Sequence, residues 1–140
     1  MKIILCSDHA GYNLKQQIKN HLSNYQLVDV GALTIDNLDS YVDYAKKANQ
    51  LVVKNKDNLG IYVCGSGVGM SIVANKQKGV RAVLASSEEI ASKAREHNNA
   101  NVLCLGERFT STNLALKIVD SFLNGKFIGG KYAQRVESIE

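Results

Sequence analysis

Short apolar runs of strand length alternate along this chain with segments in which apolar residues return every third or fourth position. The runs are Lys2 to Cys6, Gln26 to Val30, Ile61 to Cys64, Val80 to Ala85 and Asn101 to Leu105. Between them, Leu14, Ile18, Leu22 and Tyr25 mark one helical face, with Lys15, Gln16, Lys19 and Asn20 expected on the wet side. Tyr41, Ala45, Ala48 and Val52 mark a second helix, and Leu114, Ile118 and Phe122 another, stopped by Asn124 and Gly125. Ser71 to Asn75 reads as a short helix. Ser86, followed three residues later by Glu89, reads as a capping box for a helix running towards Glu96, and the tail from Gly129 to Arg135 re-enters helix. Parallel strands need crossovers and crossovers are right-handed, so few architectures remain. The sequence predicts an α/β fold, a doubly wound parallel sheet of about five strands with helices on both faces.

The chain of 140 residues can enclose one continuous core, so a single domain over 1–140 is expected. No apolar run approaches the roughly 18 residues of a membrane span, and Met1 to Cys6 is too short for a signal peptide, which makes the cytoplasm the expected location. Cys6, Cys64 and Cys104 are odd in number, lack Cys-x-x-Cys spacing and lie in or at the end of apolar runs. They read as reduced thiols and not as a disulfide framework or zinc site. The net charge of +4 comes from scattered Lys and Arg without aromatic interleaving, so no nucleic acid partner is expected; a small phosphorylated ligand accounts for the surplus equally well.

In a doubly wound sheet the ligand sits outside the carboxyl ends of the strands, near the point where strand order reverses. Asp8 and His9, the stretch Cys64 to Gly69, and Arg108 all follow strands and so share that edge. Gly65-Ser66-Gly67-Val68-Gly69 lacks the third glycine of a dinucleotide loop and has no Walker ending. Its alternate glycines, followed by a helix, turn main-chain N–H groups inward and suit an anion or a developing negative charge; taken alone, the same pattern also fits a tight turn without a ligand. A thiol at a helix N-terminus is inclined to ionise, so Cys64 is the candidate base or nucleophile, while Cys6 and Cys104 are taken as core thiols. His21 reads as exposed; His9 and His97 lie in polar corners. A Cys–His hydrolase would use Cys64 with His97, and an isomerase would use Cys64 to remove a proton beside a carbonyl. Asp8 and two histidines show no compact ligand spacing, so no metal is expected. Lys131 and Arg135, at i and i+4 after a glycine pair, suit a phosphate.

Ser7-Asp8-His9-Ala10-Gly11, Cys64 to Gly69, Ala74-Asn75-Lys76, Gly79-Val80-Arg81-Ala82, His97-Asn98-x-Ala100-Asn101-Val102 and Gly129-Gly130 followed by Arg135-Val136-Glu137 together resemble the type B ribose-5-phosphate isomerases and their relatives, the galactose-6-phosphate isomerases. The resemblance runs nearly end to end. It implies a Rossmann-like single domain that interconverts ribose 5-phosphate and ribulose 5-phosphate through an enediolate, with neither metal nor cofactor. Cys64 matches the catalytic base, Gly65, Ser66, Gly67, Val68 and Gly69 the loop holding the enediolate oxygen, His97 the ring-opening acid/base, and Ser66 a hydroxyl for proton relay. Asp8 and Asn98 match contacts to sugar hydroxyls, Tyr41 the pocket wall, and His9, Arg108, Lys131 and Arg135 the phosphate end. The resemblance further implies a homodimer or homotetramer whose site is shared between subunits. The chain departs from the family pattern at Lys131, where arginine is usual, at Tyr132, where histidine is frequent, and at Val42, where proline follows the tyrosine. These positions bear on five- versus six-carbon preference, and galactose-6-phosphate or allose-6-phosphate isomerase is the alternative. A non-catalytic sugar-phosphate-binding protein is the alternative of a different class.

Overall fold

Side chains alternate across a β-strand, and here the alternation divides the interior into two layers. The structure is a computed structural model describing residues 1–140. Its strands are β1 (Ile3–Ser7), β2 (Leu27–Asp29), β3 (Leu59–Cys64), β4 (Ala82–Leu84) and β5 (Val102–Gly106), and its helices are α1 (Tyr12–His21), α2 (Tyr41–Val52), α3 (Val68–Asn75), α4 (Glu88–Asn98), α5 (Thr112–Asn124) and α6 (Lys131–Glu137). Ile3 and Leu5 of β1, Ile61 and Val63 of β3, and Leu103 and Leu105 of β5 face α1, α4 and α5. Ile4 and Cys6, Tyr62 and Cys64, and Val102 and Cys104 face α2 and α3. Burial of side chains of this size stabilises by roughly 1.5–3 kcal/mol each. Tyr62, fully buried, donates its hydroxyl to Asn49 Oδ1 at 2.9 Å, which satisfies the one polar group that the sheet carries into the α2/α3 layer from its centre.

All strand pairs are parallel and the order is β2-β1-β3-β5-β4. The direction of winding reverses between β1 and β3, so the chain leaving β1 and the chain leaving β3 diverge and leave a crevice at their carboxyl ends. This is the expected doubly wound sheet, with a helix layer on each face.

Local expectations need correction at several points. The helix after β3 begins at Val68, ahead of the expected Ser71, because Gly67 adopts φ 78° at the N-cap and turns the chain into helix at once. The hydroxyl that caps α4 is that of Ser87, which accepts from the Ile90 N–H at 3.2 Å; Ser86 is one residue too early, and the helix runs on to Asn98. Lys15 faces inward and not into water. It is 1% exposed, and its ammonium bonds both Asp29 oxygens, at 2.8 and 3.0 Å, and the Ala32 carbonyl. His21 is exposed as expected and pairs with Asp120. No helix is long and apolar enough to cross a membrane.

Candidate active site

The crevice between β1 and β3 opens into a cleft of about 440 Å³. Asp8 and His9 reach it from the end of β1, Cys64, Gly65, Ser66, Val68 and Gly69 from the loop after β3, Tyr41 from the start of α2, and Arg108 from the turn after β5. The segments after β1, β3 and β5 arrive there because those strands end there, and Tyr41 joins them at the first position of α2.

Asp8 is buried and closes a single 3-10 turn by accepting from the Gly11 N–H at 3.1 Å. Ser40, extended and just ahead of α2, accepts from the Val42 N–H, which starts the helix so that Tyr41 sits at its first position. Its ring lies against Gly69, where an added Cβ would come within 2.6 Å of Tyr41 Cε2. Arg108 is laid over Gly65 in the same way: a Cβ there would stand 2.9 Å from the guanidinium Nη1. The glycines therefore serve close approach as well as turning. The sequence shows the turning but has no means of showing which side chains lie on the loop.

At the base of the cleft the Gly67 N–H donates to Cys64 Sγ at 3.1 Å. The sulfur sits at the last position of β3 and receives the N–H of Gly67, the N-cap residue of α3, at the end of the helix where the dipole favours negative charge. Ser66 Oγ accepts from the Val68 N–H at 3.2 Å, leaving its own proton free to be donated elsewhere. Cys6 and Cys104 are in the core as expected, both fully buried, and burial pushes each thiol well above its ordinary range, with the other cysteines adding to it.

Gly67 is the hinge of the arrangement. A left-handed φ costs a residue with a Cβ about 1–2 kcal/mol, and here the Cβ would also meet the Leu105 and Gly106 main chain at 2.9 and 3.1 Å. Gly67→Ala should therefore lower the thermal unfolding midpoint and move the N–H off Cys64. An unchanged midpoint with unchanged thiol reactivity would contradict this placement.

His97, Asn98, Lys131 and Arg135 do not line this cleft. His97 stacks on Tyr132 with ring centroids 4.4 Å apart and planes 5° from parallel. The Lys131 ammonium and the Arg135 guanidinium lie 5.3 and 6.0 Å from the same ring. Asn98 lines a larger cavity, about 680 Å³, at the amino ends of β4 and β5, together with Lys76, Arg81, Ile139 and Glu140. Within one chain the expected site residues thus form two groups, and α4 and α6 carry the second. The sequence reading missed Asp39, which bonds His9, and Ile72, which lines the cleft. Ser40 as a helix cap would have placed Asp39 at a helix start, although not against His9, thirty residues away.

A doubly wound α/β domain with a thiol that receives a main-chain N–H at its topological switch point, and with Arg108 beside it, has the features of enzymes that handle small anionic substrates. Residues 3–139 match the Ribose/Galactose Isomerase family, and the chain belongs to that family. A probable ribose-5-phosphate isomerase B of Mycoplasma genitalium is 46% identical over 98% of this chain and 92% of the relative. Ribose-5-phosphate isomerase B of Escherichia coli is 40% identical over 99% and 93%. Among solved structures, the Mycoplasma genitalium enzyme with bound ribulose-5-phosphate superposes with a TM-score of 0.95 at 45% identity, covering 99% of this chain and 93% of that one. The Clostridium thermocellum enzyme gives 0.95 at 43% identity, covering 99% and 95%.

Proposed function

We propose that this chain is an aldose–ketose isomerase that interconverts ribose 5-phosphate and ribulose 5-phosphate. The observation that carries the reading is the Cys64 sulfur, at the base of a cleft of sugar-phosphate size, receiving the Gly67 N–H. Cys64 removes the C2 proton from the open-chain aldose and returns it to C1. The electron pair of the C2–H bond becomes the C1–C2 double bond, and the C1 carbonyl oxygen takes the negative charge. The loop of Gly65 to Gly69 is read as the cradle for that charge as it develops. O2 must then lose a proton and O1 gain one, and the reading gives that transfer to the Ser66 hydroxyl. Asp8 holds a sugar hydroxyl, Tyr41 forms the wall, and His9 and Arg108 meet the phosphate.

Ring opening needs a second acid/base, which the reading assigns to His97. Since none of His97, Asn98, Lys131 and Arg135 lines the cleft of its own chain, we infer that a second copy supplies them, in a homodimer or a tetramer of such pairs. The reading covers residues 1–140 as one isomerase domain working in the cytoplasm, where a thiol base stays reduced.

Rates measured side by side on ribose 5-phosphate, allose 6-phosphate and galactose 6-phosphate test the assignment. Turnover fastest on ribose 5-phosphate is expected. Preference for a six-carbon substrate would move the chain to the other branch of its family, and binding without isomerisation of any of the three would leave it a sugar-phosphate-binding protein.

A further inference from the structure

His9 enters the cleft from the 3-10 turn after β1, and two of its N–H groups meet one carboxylate. Asp39 Oδ1 accepts from the His9 main-chain N–H at 3.2 Å and lies 2.8 Å from ring Nδ1. The Asp39 side chain is 7% exposed and the imidazole 29%, so the acceptor is held inside the protein while the ring borders the cleft. A carboxylate accepts only, which puts the hydrogen on Nδ1 and turns Nε2 away from Asp39.

Charge balance decides the state of the ring. Asp39 Oδ2 is buried and has no close hydrogen-bond partner, with the Tyr44 hydroxyl as the neighbouring donor. A buried carboxylate with so few donors is costly unless a positive charge stands against it, and the His9 ring is the group in contact that can carry one. Asp8, His9 and Asp39 approach within 4.8 Å, as metal ligands would. However, a cation bound at Nδ1 would have to displace the proton that Asp39 already accepts, and Asp8 Oδ1 is engaged by Gly11.

We propose that Asp39 is a positioning residue for the substrate's phosphate: it fixes the His9 ring through Nδ1 and keeps both ring nitrogens protonated, so that Nε2–H and Arg108 form the anion end of the cleft. The identity of the anion rests on the isomerase reading; the dyad itself does not. The charged and titratable groups around His9 are Asp8 from the end of β1, Asp39 from the connection before α2, Cys64 from β3 and Arg108 from the turn after β5, with Tyr44 of α2 beside Asp39. The Asp39 hydrogen bond raises the His9 pKa above its ordinary value; partial desolvation opposes it, Asp8 adds to it and Arg108 subtracts. Phosphate affinity should thus be full below the raised value and fall as pH rises through it.

The test is Asp39→Asn, which keeps an acceptor for the main-chain N–H but cannot balance an imidazolium, with Asp39→Glu as the conservative variant. In the full-length wild-type protein, nitrogen NMR of the His9 ring at pH 7 should show both nitrogens protonated. In Asp39→Asn the His9 titration midpoint should drop, and the Kd for inorganic phosphate at pH 7 should rise about ten-fold, the loss of one charge-assisted contact. KM for ribose 5-phosphate should rise by about the same factor with kcat within about two-fold, the pH at which KM climbs should move down, and Asp39→Glu should recover part of the change. A neutral His9 in the wild-type protein, equal midpoints in wild type and Asp39→Asn, or a loss confined to kcat would overturn the proposal. The wild-type spectrum decides even where a variant fails to fold. A wild-type protein that isomerises no aldose phosphate would instead sink the isomerase reading, while the NMR and phosphate measurements would still judge the dyad.

Discussion

Cys64→Ala should reduce kcat on ribose 5-phosphate by roughly 10²–10⁴-fold, the range a positioned general base contributes, while KM and the unfolding midpoint change little. The residue is 4% exposed and truncation removes a single sulfur, so the fold has little to lose. What is lost is the only group at the base of the cleft that receives the Gly67 N–H. Turnover that survives the substitution would remove Cys64 as the base. The same variant tests how the site is assembled. If His97 acts across a subunit boundary, mixing Cys64→Ala with His97→Asn chains gives heterodimers that combine an intact Cys64 with an intact His97 in one of their two sites. Activity should then reappear on mixing; if both residues act within one chain, it should not.

Lys15→Met should lower the free energy of unfolding by about 3–5 kcal/mol, the cost of leaving a buried charge without its partner. Asp29 is 8% exposed at the side chain, and after the substitution it keeps only Lys19 at 3.3 Å and the Gly31 N–H at 3.0 Å. Adding Asp29→Asn should recover part of the loss, because the amide needs no cation and can still accept from Gly31. Urea unfolding of the two variants measures both effects, and midpoints equal to wild type would mean that the pair contributes nothing. The pH dependence has a definite sign. Burial pushes the Asp29 carboxyl up, but the Lys15 ammonium, the Gly31 N–H and Lys19 more than reverse this and hold it below the usual carboxylate range. Its contribution is therefore present above the unfolded value, about 3.9, and is lost only as pH falls through the lower folded value. Without Lys15, acid unfolding should begin at a higher pH.

Lys15 also shows where sequence reasoning stops. Helix α1 was legible because Leu14, Ile18 and Leu22 repeat locally, and by the same reasoning a lysine beside them belongs in water. Its partner, Asp29, is on strand β2, fourteen residues on, and no periodicity connects them. Asp39 and His9 have the same relation over thirty residues. The doubly wound sheet was legible because each strand and helix announces itself within a few residues and handedness does the rest. The Ser86 cap failed for a smaller reason: two adjacent serines offer the same chemistry, and only the extended backbone at Ser87 aims a hydroxyl at Ile90. The β1 and β3 edges of the site were readable as strand ends. The stack of His97 on Tyr132 was not, since it depends on α4 and α6 meeting.

Alternation along the strands places all three sulfurs on one face of the sheet, with Cys6 and Cys104 sealed in the α2/α3 layer and Cys64 at its rim. An electrophile approaching the native protein therefore meets one thiol, and that one lies in the cleft. A covalent inhibitor would need no preference among cysteines; it would need only a shape that the cleft admits. The strand geometry that builds the core thus also supplies the chemical selectivity.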